Sequence, residues 1–183
     1  RINIRNQFSV PLKALLLGMV ARWDIQKDHK NLFSALSGLK KKRKDFKCLL
    51  VGAGLEQTNN DLIKLIEQYN LQNNIILGGS CEYIQDIMNA LDLHILSSRA
   101  EAFANVVAEA MACEVPCLST DVGAIKLIQG NTGWIVPPSD SKALQTSLEE
   151  ALDEINKNTY DIRKKNCRER ILKRYNVNKM INQ

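Results

Sequence analysis

Two groups of residues in this chain have the types and the spacing to handle an anionic ligand. Arg22 and Lys27 stand five positions apart in Arg22-Trp23-Asp24-Ile25-Gln26-Lys27-Asp28-His29. A guanidinium can fork across two oxygens while an ammonium acts as a mobile point charge, so the pair suits a diphosphate. A solvated loop with ion pairs to Asp24 or Asp28 fits the same spacing. The second group is Glu101 and Glu109, one at the end of a loop and the other about one turn into the helix that follows, so that the two carboxylates address different parts of one ligand. The start of that helix, at residues 104–106, would offer unpaired N–H groups and the positive end of a dipole, a seat for phosphate. Val106, Val107, Ala108, Ala110, Met111 and Ala112 surround Glu109 with apolar neighbours, which predicts a buried helix and a buried carboxylate in need of a partner.

Two glycine turns accompany these groups. Gly52-Ala53-Gly54 is part of a dinucleotide fingerprint, but Gln57 stands where the third glycine belongs, and Asn73 and Asn74 occupy the region where an acidic residue should follow. It reads as a tight turn and argues against a nicotinamide cofactor. Asp121-Val122-Gly123 supplies a further loop in which glycine permits close backbone approach.

Such residues need elements that carry them to one rim. Short runs rich in Leu, Ile and Val alternate with stretches of helical period, the pattern of βαβ units around a parallel sheet. The predicted strands are 14–21, 46–51, 74–77, 93–96, 115–120 and 133–136, each apolar almost throughout, as strands covered on both faces are. The predicted helices are 31–42, 60–68, 83–91, 105–113, 125–129, 141–156 and 159–175, with Asn31, Asn60, Ser139 or Ser141, and Thr159 as N-caps. The expected fold class is therefore α/β, a single Rossmann-like domain whose parallel sheet carries helices on both faces. In such sheets ligands bind beyond the carboxyl ends of the strands, where Arg22, Lys27, Glu101 and Asp121 all fall.

Composition sets the outer limits. With 183 residues, 45% hydrophobic and 25% charged, the chain is globular, and disordered or fibrous classes are excluded. The net charge of +5 permits an anionic partner without demanding one. Five cysteines without a C-x-x-C pair argue against a disulfide framework or a zinc ribbon and for a reducing compartment. The longest apolar run, 14–21, is far shorter than the ~20 residues that a membrane helix needs. Without an initiator Met or a leader, the chain reads as a piece cut from a longer protein.

At these residues the sequence resembles the C-terminal, donor-binding half of a GT-B glycosyltransferase, most closely glycosyltransferase family 4, the group 1 family. The resemblance runs from Leu15 to about Tyr175, and its anchors come in order: Gly18-Met19-Val20-Ala21-Arg22, Leu50-Val51-Gly52-Ala53-Gly54, Ser97-Ser98, Glu101 through Pro116, Asp121-Val122-Gly123, and Thr132-Gly133-Trp134-Ile135-Val136-Pro137-Pro138. Glu101 and Glu109 match the family's E-x7-E motif. The resemblance implies that Arg22 and Lys27 hold the donor's diphosphate, that Glu101 faces the donor sugar, and that Glu109 binds the ribose hydroxyls. It also places Phe103, Ala104, Asn105 and Val106 against the sugar and phosphate, and Gly79 and Ser80 at the base, with Gly52 and Gly54 leaving room for the nucleotide. The departures are Ala102 for a glycine, which narrows the sugar pocket by a methyl, Ala104 for a proline at the helix start, Glu114 for a glycine just after that helix, and Ala124, Lys126 and Leu127 in place of a Gly-Gly-x-Pro-Glu pattern in the sugar-facing loop.

The resemblance further implies sugar transfer with retention from a nucleotide-sugar, UDP-linked as in many relatives, with no cofactor and no metal. No Asp-x-Asp pair, the metal-holding motif of the other large glycosyltransferase fold, occurs in the chain. The expected domain is 1–183, its N-terminal acceptor domain lying outside the chain, in a cytoplasmic protein of cell-surface polysaccharide or lipopolysaccharide synthesis. Lys40-Lys41-Lys42-Arg43-Lys44 and Arg163-Lys164-Lys165 read either as solvated helix surface or as a peripheral contact with anionic membrane at the inner face of the plasma membrane. Two other readings remain: a non-catalytic nucleotide-binding Rossmann module, and a nucleic-acid-binding module, against which stands the absence of aromatic residues among Lys40 to Lys44.

Overall fold

Six apolar runs pair side by side as one parallel sheet in the computed structural model of the chain, which describes residues 1–11 and 13–175. The strands are β1 Leu15–Val20, β2 Phe46–Val51, β3 Ile75–Gly79, β4 Leu93–Leu96, β5 Cys117–Thr120 and β6 Trp134–Val136, in the order β3-β2-β1-β4-β5-β6. The predicted strands are all present, and positions 176–183 of the expected domain lie outside the described residues. The chain winds outward from β1 to β3, then returns to place β4 on the other side of β1. Helices on both faces complete the Rossmann-like arrangement expected of the GT-B half.

Alternation along the strands feeds two cores. Leu17, Met19, Cys48, Leu50, Leu93 and Ile95 face one, while Leu16, Val20, Leu49, Val51 and Leu96 face the other, and all are buried. The first core is closed by α2 His29–Lys40, α3 Asn60–Gln68 and α7 Ser141–Glu154. In α7 the buried residues are Leu144, Leu148, Ala151 and Leu152, one stripe of a 3.6-residue period. The second core is closed by α4 Ile84–Ala90, α5 Asn105–Ala112, α6 Ile125–Gln129 and α8 Asn158–Arg174.

No sequence pattern pointed to α1, Ile2–Gln7, which closes the amino-terminal edge of this second core. Its anchor is electrostatic. Arg5, 6% exposed, donates to the Ala14 carbonyl at 2.9 Å and to Asp92 at 2.7 Å, and Asp92 also accepts from the Leu16 amide and from Arg1. The expected N-caps need correction. Asp28, Asn59 and Asp140 cap α2, α3 and α7 through their side chains, and α8 starts after Lys157 with no side-chain cap. Asn31, Asn60 and Ser141 lie inside the helices, because an earlier acid or amide already satisfies one or more of the first N–H groups, and Thr159 lies inside α8 behind the uncapped Lys157.

His94 is fully buried on β4, and among the described residues neither of its ring nitrogens has a hydrogen-bond partner. Burial pushes its pKa down to about 4. In the unfolded chain the group titrates near 6.5, so stability is complete above that pH and drains away as pH falls from 6.5 towards 4. His94→Leu is expected to raise stability by about 1–3 kcal/mol at neutral pH by removing two orphaned nitrogens. It should also shrink the stability lost between about pH 7.5 and about pH 5 by roughly 2 kcal/mol. Urea unfolding at both pH values reads this out, and equal losses in the two proteins would contradict it.

Candidate functional site

The site begins where β1 ends. Ala21 and Trp23 are pinned to the turn after β2 by backbone bonds to Val51 at 2.9 Å and Ala53 at 2.7 Å. Gly52 and Gly54 make that approach possible: both have positive φ, and a Cβ on Gly52 would collide with the Ala21 carbonyl. The tight-turn reading of this segment is therefore its structural role. The next residues form a single 3-10 turn, Ile25–Lys27, whose first amides are capped by Asp24. The Gln26 amide, and after it Arg22, holds the Asp24 carboxyl below its usual range.

Across the sheet, β4 delivers residues 97–101. Lys27 Nζ lies 2.5 Å from Glu101 Oε1, and Ser98 Oγ donates to the same oxygen at 2.7 Å. Ser98 is held in turn by Thr120, whose hydroxyl donates to its carbonyl at 2.6 Å. Gly123, at φ +53, packs its Cα so closely on the backbone of Glu101 and Ala102 that a Cβ there would collide with the Glu101 carbonyl, and the Ala124 amide donates to Ala102 at 3.2 Å. The loop after β5 thus braces the loop after β4.

These loops enclose a cleft of about 450 Å³ lined by Val20, Ala21, Arg22, Gln26, Lys27, Ala100, Glu101, Ala102 and Val106. The structure therefore brings Arg22, Lys27, Glu101 and the start of α5 together. Val106 N–H donates to no protein acceptor among the described residues, and α5 has no side-chain cap, so a donor group is left at the cleft wall. Phe103, Ala104, Asn105 and Glu109 are on the same loop and helix but outside the lining. Phe103 is 44% exposed and meets the Tyr175 ring edge-on at 5.8 Å. Gly79 ends β3 and Ser80 follows it at the neighbouring turn, where the Gly79 carbonyl accepts from the Gly52 amide at 2.8 Å. Lys126 and Leu127 lie on α6, Lys126 in an ion pair with Asp121 at 2.5 Å.

One expectation is overturned. Glu109 is exposed, because α5 buries only Val107, Ala110 and Met111, and its carboxylate makes no hydrogen bond or ion pair among the described residues. Alanines at 108 and 112 tolerate half-exposure, so an apolar count all round did not amount to a buried helix.

The sequence reading also passed over Asp28 and Arg99. Asp28 is 4% exposed and adopts a left-handed conformation, φ +47 and ψ +53, between the 3-10 turn and α2. Its carboxylate accepts from Arg99 at 2.7 and 3.1 Å, from Ser139 at 3.2 Å and from the Asn31 amide at 3.2 Å. Arg99 N–H donates to Gln26 at 2.7 Å, and Ser97 Oγ donates to the Lys27 carbonyl at 2.9 Å. The loop carrying Lys27 is thereby tied to the loop carrying Glu101. A left-handed residue before a helix favours Asp, Asn or Gly, the one signal that pointed to position 28. Among the described residues no three His, Cys, Asp or Glu side chains gather as a metal site.

Comparison with known proteins places this geometry in a family. The model described as "Glycosyl transferases group 1" matches residues 1–170. The capsular polysaccharide biosynthesis glycosyltransferase CapM of Staphylococcus aureus is 28% identical over 145 residues, 76% of this chain and 37% of that protein. A glycosyltransferase from Rickettsia africae ESF-5 superposes with a TM-score of 0.91 at 25% identity, over 99% of this chain and 48% of that one. Anabaena HepE, solved in complex with UDP and glucose, superposes with a TM-score of 0.85 at 23% identity, over 99% of this chain and 49% of that one. The chain thus spans about half the length of these solved relatives and 37% of CapM.

The weight carried by Asp28 is measurable. Asp28→Ala removes a helix cap, leaves Arg99 without its partner and puts an alanine in the left-handed region, a combined loss of about 3 kcal/mol. Asp28→Gly keeps the backbone conformation at no strain and should be about 1 kcal/mol less damaging. Chemical denaturation of the two variants decides, and equal losses would show that the left-handed conformation costs nothing here.

Proposed function

Since the chain belongs to the group 1 glycosyl transferases, we propose that it is the donor-binding part of a longer, retaining, metal-independent glycosyltransferase, working with an N-terminal acceptor domain outside this chain. The observation that supports the reading most strongly is the convergence of Arg22, Lys27, Glu101 and the uncapped start of α5 on one cleft at the carboxyl ends of β1 and β4. That is where a doubly wound sheet receives its ligand. A UDP-linked sugar is the proposed donor. HepE, which has the same fold, was solved with UDP and glucose. The product would be a cell-surface polysaccharide or lipopolysaccharide, as the name of CapM suggests for that relative.

In this reading the diphosphate lies between Arg22 and Lys27 with the Val106 amide beside it, and these groups stabilise the negative charge that grows on the leaving phosphate. Glu101 faces the sugar. Glu109, exposed and unpaired, is free to take the ribose hydroxyls. Gly79 and Ser80 lie towards the base. The chain alone binds donor and transfers nothing, because the acceptor groups come from the other domain. The reading includes a cytoplasmic location and a peripheral membrane contact. Among the described residues no helix is long and apolar enough to cross a membrane.

The nucleic-acid reading loses its footing on the basic segments. Lys42 pairs with Glu149 at 2.7 Å, Arg43 with Asp45 at 2.8 Å and Arg163 with Glu154 at 2.8 Å, and Lys40 donates to the Asn70 carbonyl. Arg163 also sits 4.3 Å above the Trp134 ring. These cations are committed within the fold.

The test is an amide NMR titration of the chain with UDP, GDP, ADP and a short single-stranded RNA. One diphosphate should shift the amides of Arg22 through Lys27 and Glu101 through Glu109. Arg22→Ala and Lys27→Ala should each weaken the diphosphate about tenfold while leaving the nucleoside nearly unchanged. Glu109→Ala should weaken both ligands. Silence with every diphosphate, or shifts at Lys40 through Lys44 with RNA alone, would defeat the reading.

A further inference from the structure

The two cations of the cleft are not equivalent. The Arg22 side chain is 65% exposed, and among the described residues its one ion-pair partner is Asp24, at 3.2 Å. Lys27 is 19% exposed and already neutralised by a carboxylate that is itself 12% exposed. Glu101 is held there firmly: Ser98, fully buried, donates to the oxygen that Lys27 contacts. Its second oxygen, Oε2, has no partner among the described residues. The backbone under it is fixed by Gly123 and Ala124, so any rearrangement has to come from the side chain.

We propose that Glu101 makes the cleft discriminate between an intact nucleotide-sugar and the bare nucleoside diphosphate, by occupying Lys27 until sugar hydroxyls draw it away. The proposal rests on the reading of the cleft as a donor site. A diphosphate arriving at Lys27 has to displace the carboxylate, which is then left part-buried beside a phosphate of like charge. That displacement is costly unless new donors reach the carboxylate. A hexose attached to the diphosphate brings hydroxyl donors to the same place, whereas a nucleoside diphosphate brings none. The ion pair therefore penalises the spent product more than the intact donor, which favours product release after transfer. Specificity of this kind comes from a group left unpaired in the wrong complex.

Glu101→Gln tests this directly, since the amide keeps the shape and the contact with Ser98 but loses the charge. By calorimetric titration, UDP should bind the variant about tenfold more tightly than the unaltered chain. UDP-glucose should gain less, so that the ratio of the two affinities moves towards one. Parallel titrations with GDP and GDP-mannose cover the other common base. If UDP binds the variant no better, or worse, the proposal fails and the donor site stands. If no nucleotide of either pair binds the unaltered chain, the donor-site reading fails and takes the proposal with it. A second measurement needs no variant: the Glu101 carboxyl carbon, followed by ¹³C NMR in the unaltered chain, should shift on saturation with UDP as its contact with Lys27 breaks. A carboxyl carbon that stays in place while the nucleotide binds would overturn the proposal even if Glu101→Gln proved unable to fold.

Discussion

A parallel sheet covered on both faces leaves one place where its crossovers diverge, and every candidate residue in this chain depends on that place. The chain leaves β1 for β2 on one side and comes back to put β4 on the other. The loops after β1 and β4 must therefore separate towards opposite faces, and the space between them is not filled by a helix. Both strands are buried along almost their full length, so neither can shift register to close the gap without moving apolar side chains into the wrong core. The opening is a consequence of topology. What the local sequence decides is which side chains stand around it.

Holding those side chains takes polar groups in an otherwise apolar fold. Asp28 is the costliest of them, a nearly buried carboxylate in a left-handed backbone, and it persists because four donors converge on it: Arg99 twice, Ser139 and the Asn31 amide. The pair is asymmetric, since Arg99 stays half exposed and keeps much of its hydration while the acid loses nearly all of its own. The glycines act by close approach. Gly52 seats the turn after β2 on Ala21, and Gly123 seats the loop after β5 on Glu101. Four loops from β1, β2, β4 and β5 are thus locked to one another by contacts that would not tolerate a side chain or an unpaired charge.

How much of this could be read beforehand follows from the range of the interactions. The strands were legible because burial on both faces leaves a continuous apolar run, and the placing of Arg22, Lys27 and Glu101 at one rim followed from their positions just after strands of a parallel sheet. The starts of α3, α5, α6 and α7 were legible, but the N-caps were misplaced by one to three residues, since Asn31 or Thr159 resembles a cap until Asp28 or the actual chain reversal is seen. α1 left no trace, because its six residues hold on through Arg5 and Asp92, which are 87 positions apart. The contact between Lys27 and Glu101 spans 74 positions and was equally invisible. Both residues had been assigned to a ligand, yet nothing local indicated that they would neutralise each other. The exposure of Glu109 was misjudged for a different reason: small apolar neighbours lower the cost of burial without requiring it.

The distribution of positive charge explains how a chain of net charge +5 can carry a local candidate anion site without a broad basic face. Several cations in and near the Lys-rich and Arg-rich segments are spent on structure. Arg43 forks onto Asp45, Arg163 onto Glu154, and Arg170 and Arg168 donate to the ends of α6 and α5 at the carbonyls of Leu127, Ile128 and Ala112. These last contacts satisfy carbonyls that a helix end leaves open and place cations at the negative end of its dipole. At the cleft the arrangement is reversed. Arg22 extends into water with one weak partner, and Lys27 is paired with an acid that shares its cleft. Screening by salt would blunt the exposed cation far more than the part-buried pair; in the proposed donor reading the first attraction for an incoming anion is Arg22, and the selection among anions falls to the carboxylate that Lys27 would have to give up.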